Sequence, residues 1–138
     1  MACPLLVEED MINPADVAIS ELMTRSPITA PASTPIEAIA ELMTRHHISC
    51  VPIVDDDHHP TGIVTKLDLI ECRDAGRTTA REIMMPHAMT LPAHATLATA
   101  ASLMSHEGFH HVLVVDTQRA LLGVLSTFDI ARWVARQS

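Results

Sequence analysis

Apolar residues recur along this chain in two rhythms, and the change from one to the other outlines its elements. Ile36, Ile39, Ala40 and Met43 fall at i, i+3, i+4 and i+7, a spacing that lines up one stripe of a helix. Thr34 stands where an N-cap is wanted, Pro35 suits the first helical position, and Glu37 completes a capping box. A second stripe, Leu97, Ala100, Ala101 and Met104, predicts another helix. Ala95 is a poor cap, so that helix is expected to start less sharply. It should end at Gly108, which takes the left-handed conformation readily; His47 holds the same place in the earlier helix.

Short continuous apolar runs follow each stripe. Val51–Val54 and Val112–Val115 read as buried strands. Pro52 cannot donate to a ladder, so its nitrogen must face an edge or a gap. Polar turns at 55–60 and 116–121 lead to Gly62-Ile63-Val64-Thr65-Lys66-Leu67-Asp68 and Gly123-Val124-Leu125-Ser126-Thr127-Phe128-Asp129. In each, a strand is predicted to end at the hydroxyl residue and a helix to begin there. The last helix, Asp129 to Gln137, carries Ile130, Trp133 and Val134 on one face. Upstream, residues 15–24 form a helical lead-in with Ile19, Leu22 and Met23 on one side, stopped by Ser26-Pro27. Ile28-Thr29-Ala30 is then a very short strand, and residues 1–15, broken by Pro4 and Pro14, form a loose arm.

These elements occur twice. Sliding the chain by 61 residues aligns 19–74 with 80–135 without a gap and gives 13 identical pairs, among them Met23/Met84, Pro31/Pro92, Gly62/Gly123 and Asp68/Asp129. The chain therefore divides into an arm (1–15), a first copy (16–74) and a second copy (75–138), joined by the polar segment 72–79. Strands this short cannot bury both faces of a sheet alone. The expected fold is α/β in the broad sense (α+β), with two β-α-β-β-α repeats packed sheet to sheet about a pseudo-two-fold axis and ligand space at their junction.

Composition narrows the function. Hydrophobic residues make up 48% of the 138 and charged residues 19%, enough for a sizeable core. A net charge of −8 argues against a nucleic-acid surface. No apolar run is long enough to span a membrane, and Met1–Asp10 lacks a basic n-region, so no membrane insertion and a cytoplasmic location are expected. Three cysteines without a C-x-x-C pair make a disulfide framework or zinc knuckle unexpected; Cys50 reads as a small buried hydrophobe. Nine histidines raise metal binding, but no pair has helical H-x-x-x-H spacing with a third ligand, so no metal site is assigned. His58-His59 reads as a solvated turn, and Lys66, the only lysine, as a solvated first-turn residue. No nucleophile–base pair, P-loop or dinucleotide fingerprint is present, which points away from an enzyme.

The candidate chemistry lies at the strand-to-helix junctions. A Thr or Ser followed three residues later by Asp is what a helix N-terminus wants with or without a ligand. The same junction places a hydroxyl, a carboxylate and backbone N–H groups in one small volume, and a carboxylate can accept from both hydroxyls of a ribose.

The Met23-Thr24 and Met84-Met85 lead-ins, the strands ending Val54-Asp55 and Val115-Asp116, and the paired Gly-x-x-Thr/Ser-x-x-Asp ends resemble a tandem pair of cystathionine-beta-synthase (CBS) domains, a Bateman module, over roughly residues 16–137. The resemblance implies a stand-alone regulatory module that requires no cofactor. It binds an adenosine nucleotide (AMP, ADP or ATP) or S-adenosylmethionine between the repeats and signals to an unknown protein target in trans. It places Thr65 and Asp68 in one cleft and Ser126 and Asp129 in the other, with Pro27-Ile28-Thr29 and Ala88-Met89-Thr90 flanking adenine. Basic residues before the second strand face phosphates in such modules; here those are His110 and His111, against Ser49 and Cys50 in the first copy. Partly protonated near neutral pH, the histidines would make binding pH-dependent. Apolar residues on the helices flanking the clefts imply a homodimer. The alternatives are a ligand-free assembly module, in which both motifs are only caps, and a divalent-metal sensor using the histidines.

Overall fold

The structure, a computed structural model, describes residues 12–72 and 78–137. The arm up to Met11 and the middle of the 72–79 segment lie outside the described residues. Two sheets form. One has four strands in the order β1 (Thr24–Arg25), β7 (Leu121–Ser126), β6 (His111–Val115), β5 (Thr90–Pro92). The other runs β2 (Cys50–Val54), β3 (Pro60–Thr65), β4 (Met85–Pro86), and Ala30 bridges in parallel to Ile53 on its β2 side. The helices are α1 (Ile36–His46), α2 (Lys66–Glu71), α3 (Ala80–Ile83), α4 (Leu97–Glu107) and α5 (Thr127–Arg136). The architecture is the α+β pair of repeats that the sequence predicts, with one difference in how the sheets are completed.

Neither sheet belongs to one copy. The first copy's lead-in supplies β1 to the second copy's sheet, where Thr24 pairs with Val124 and Arg25 with Gly123. The second copy's lead-in supplies β4 to the first, where Gly62 pairs with Pro86 and Ile63 with Met85. The glycines make this possible. A Cβ on Gly62 would lie 2.7 Å from Met84 Sδ and 2.8 Å from Met85 O; on Gly123 it would lie 2.6 Å from Thr24 O and 2.7 Å from Met23 Sδ. Only glycine lets another backbone come this near.

Three apolar clusters follow from the exchange. Ile19 and Met23 pack with Ala100, Met104, Val112, Val114 and Leu125 on the second copy. Ala80 packs with Ile39, Met43, Val51, Ile53 and Val64 on the first, with Met84 against them. Between the sheets, Ile63 meets Leu113, Leu121 and Val124. The turns also join, Leu121 N donating to His58 O at 3.0 Å.

Several local expectations change. The lead-in at 15–24 is not one helix: two short 3-10 turns, Pro14–Asp16 and Ile19–Glu21, precede β1, because Val17 and Ala18 extend to bond the start of α4. Ile28-Thr29-Ala30 is reduced to the single bridge at Ala30. Thr34 does not cap α1. Pro35 is the N-cap, because Thr34 O accepts from Ala80 N at 2.8 Å and Ile36 N donates to Thr78 O. Conversely α4 does have a side-chain cap, Thr96, whose hydroxyl accepts from Thr99 N at 3.1 Å. On α5, Val134 is exposed while Ile130 and Trp133 are half-buried.

Both stripe helices end as the sequence predicts, Gly108 at φ 73° and His47 at φ 54°. A left-handed histidine carries a penalty of about 1–2 kcal/mol, partly offset in glycine by chain entropy in the unfolded state. His47→Gly is therefore expected to stabilise the fold by roughly 0.5 kcal/mol. Urea denaturation would show it as a higher midpoint at unchanged slope.

Candidate functional site

Each junction is fixed by its own sequence. Thr65 N and Oγ1 donate to Asp68 Oδ2 at 2.7 and 3.0 Å, and Asp68 N donates back to Thr65 Oγ1 at 3.3 Å. Ser126 and Asp129 repeat the box, with Ser126 N and Oγ donating to Asp129 Oδ2 at 2.8 and 3.0 Å and Asp129 N to Ser126 Oγ at 3.1 Å. The first N–H of each helix is tied to the preceding loop, Lys66 N to Ser49 O and Thr127 N to His110 O, both at 3.0 Å. Strand end, helix start and loop are thus held as one unit, twice.

Two clefts open at these units. The first, about 540 Å³, is lined by Thr65, Lys66, Asp68, Ala88, Met89, His110 and His111, with Leu67, Phe109 and Phe128 as apolar walls. The second, about 450 Å³, is lined by Pro27, Ile28, Ser126 and Asp129, with His46, His47, Ser49 and Cys50 opposite. Each cleft therefore takes its hydroxyl and carboxylate from one copy and its flanking segment from the copy whose lead-in crosses over. Thr29 and Thr90 do not line either cleft; Thr90 opens β5 and pairs with Leu113. Ser49, His111, Ser126 and Phe128 line both, so the clefts share a wall.

His111 is half-buried, and burial holds its pKa below the ordinary histidine value; the neighbouring His110 acts in the same direction and Asp129 against it. His111 is thus chiefly neutral at neutral pH, a correction to the partial protonation expected of this residue. Its Nε2 lies 3.4 Å from Ser49 Oγ. Cys50 is pushed up to about 12, first by burial and then by the Asp129 charge, so it is held as the thiol. Its place as a small apolar group in the inter-sheet cluster is as expected. His110 and Lys66 are exposed. Lys66 lines the first cleft.

Away from the clefts, donor atoms of Asp55, Asp57 and His59 lie within 4.8 Å of one another. Asp55 Oδ1 accepts from Asp57 N and His59 N, and Asp116 does the same with Gln118 N and Ala120 N in the second copy. That arrangement belongs to the turn.

The two copies match the CBS domain family over residues 19–74 and 80–136. The chain belongs to the CBS-domain family. As a CBS pair it superposes with a TM-score of 0.83 on the CBS domain pair of protein MJ0100 solved in complex with 5′-methylthioadenosine and S-adenosyl-L-methionine, at 27% identity over 88% of this chain and 98% of that one. It is 30% identical to an inosine-5′-monophosphate dehydrogenase of Rhodopirellula baltica, over 76% of this chain and 20% of that protein. It is 29% identical to an L-aspartate semialdehyde sulfurtransferase of Methanocaldococcus jannaschii, over 83% and 22%. The CBS pair thus spans about a fifth of the length of these curated relatives. Among the described residues, no helix is long and apolar enough to cross a membrane.

Some residues of the CBS clefts escaped the sequence reading. Phe128 and His46 line a cleft without belonging to the repeated motif's polar positions. Lys66 could have been found by its place between Thr65 and Asp68, since a first-turn residue beside a cap faces the same opening.

Proposed function

We propose that this CBS pair is a regulatory module whose clefts hold an adenosine-bearing small molecule, AMP, ADP, ATP or S-adenosylmethionine, and whose response is passed to a partner protein. The observation that carries the reading is the doubled junction: a hydroxyl–carboxylate pair opening into a cleft closed by an aliphatic segment of the other copy. Both clefts fall in the range usual for small-ligand sites. The walls suit a flat base between aliphatic side chains, Ile28 in one cleft and Met89 in the other, and the carboxylates suit a ribose diol. The MJ0100 pair, with its two adenosine compounds, supports the ligand class. Thr65, Asp68, Ser126 and Asp129 would contact ribose or phosphate, Pro27, Ile28, Ala88 and Met89 the base, and His110 a phosphate. Leu67 and Ile70 on α2 and Phe128 and Val134 on α5 are exposed, which favours a homodimer through these helices, readable by sedimentation.

Calorimetric titration with AMP, ADP, ATP and S-adenosylmethionine tests the reading. Binding below the millimolar range, weakened at least tenfold by the combined Asp68→Ala and Asp129→Ala changes, is expected. A wild-type protein that binds none of the four sinks it. The capping boxes favour a second reading, a ligand-free assembly module. Thermal shift separates the two, because a ligand at 100 times its Kd adds about 2.7 kcal/mol and an assembly module shows no shift.

A further inference from the structure

The two carboxylates share a motif but not a state. Asp68 Oδ2 serves the cap, and among the described residues nothing bonds its Oδ1. Asp129 Oδ2 serves the cap too, but its Oδ1 accepts from Arg132 Nη2 at 2.7 Å, and its side chain is only 6% exposed. Arg132 is held in turn by Phe128, its Cζ standing 5.1 Å from the ring centroid. In the first copy the positions matching Phe128 and Arg132, 61 residues earlier, are Leu67 and Glu71. Neither can build this clamp, and Glu71 would repel a carboxylate. Arg132 does not line the Asp129 cleft. It lines an adjoining cavity of about 380 Å³ with Asp16, Glu21, Trp133 and Arg136, and Asp129 is part of the wall between the two.

We propose that the clefts are unequal: the Asp68 cleft receives a phosphate-bearing adenosine nucleotide as it stands, and Asp129 can take a ribose in the other only once the Arg132–Phe128 clamp opens. This rests on the adenosine reading above. A ribose diol needs carboxylate lone pairs. Asp68 offers both acceptor sites of Oδ1 to the two hydroxyls, whereas Asp129 has one of its two taken by Arg132 and must displace a charge-assisted bond to hold both. The cations agree with the assignment. Lys66, the only lysine of the chain, lines the Asp68 cleft, while the other has histidines (His46, His47 and the shared His111) but no lysine or arginine among the described residues. Arg132 is a positioning residue, acting on the second cleft through Asp129.

Titration with AMP tests this. Wild type is expected to bind one AMP per chain. Asp68→Asn, which keeps an oxygen for the cap but loses an acceptor for the diol, should weaken it about 10- to 100-fold. Arg132→Gln should raise the stoichiometry from one to two while leaving the first affinity in place. A merely structural role for Arg132 would lower stability without adding a site, so the stoichiometry is the deciding readout. Circular dichroism and the fluorescence of Trp133, the only tryptophan, confirm that each variant is folded. Two equal sites in wild type, or a single site in Arg132→Gln, overturn the assignment while the adenosine reading stands. No binding by any variant overturns both.

Discussion

Leu113→Ala is expected to destabilise the whole chain by about 2–5 kcal/mol, the range for emptying a fully buried leucine site. Leu113 is completely buried at the centre of β6, where it meets Ile63 of the first copy and Leu121 and Val124 of the second. The cavity would open between two sheets, each pinned by a strand from the other copy, so neither sheet can shift to fill it. For a chain of this length the loss corresponds to a fall in melting temperature of roughly 7–17 °C. Set against a typical total of about 5–15 kcal/mol, it brings the protein near its limit. The informative part is where the loss is felt. Because the cluster spans both copies, amide exchange should speed up in α1 as much as in α4. Protection retained in α1 with protection lost in α4 would show that the copies unfold separately, contrary to the exchanged-strand architecture.

Gly123→Ala is expected to cost about 1–3 kcal/mol and to expel β1 from its sheet. The obstruction is backbone: the new Cβ would lie 2.6 Å from Thr24 O, which cannot rotate away as a side-chain tip can. Met23 Sδ at 2.7 Å could move, but only by leaving the cluster it fills with Ile19 and Val112. Loss of amide protection at Thr24 and Arg25 in the variant would report the expulsion directly. Gly108→Ala provides the contrast. No atom lies within 4 Å of a Cβ there, and the only obstacle is the φ of 73°, worth about 1 kcal/mol and confined to the end of α4. If both variants lose protection only at the site of substitution, Gly123 is not holding the crossover.

The parts of this fold that could be read from sequence are those decided by neighbours in the chain. The hydroxyl and carboxylate of each junction are three residues apart, and their box is local geometry, so its existence and its opening into a cleft could be foreseen. The same holds for the left-handed ends at His47 and Gly108. What could not be foreseen was decided by distant segments. Two-residue strands such as Thr24–Arg25 have no alternation to detect, and their pairing with β7 depends on a partner about 100 residues away. One signal was present: a glycine in the middle of an apolar strand, which marks close approach of another backbone. Thr34 was assigned as a cap on local grounds and lost the role because its carbonyl is bonded to Ala80. The Arg132 contact lay within reach, an arginine three residues after the carboxylate with Glu71 in the matching place. Its importance emerged only once the buried state of Asp129 was known.

The crossing of the lead-ins also sets an order of events during synthesis. Translation delivers the first repeat before the segment that completes its sheet and core, Thr78 to Pro86, so as it leaves the ribosome its Gly62 edge is open and apolar, the condition in which strands add to foreign chains. The nascent protein closes that edge not with the next helix of its own repeat but with the opening residues of its successor. The open edge is therefore closed about 20 residues past Thr65, when the second lead-in emerges, while the face carrying Ile63 waits for Leu113, Leu121 and Val124.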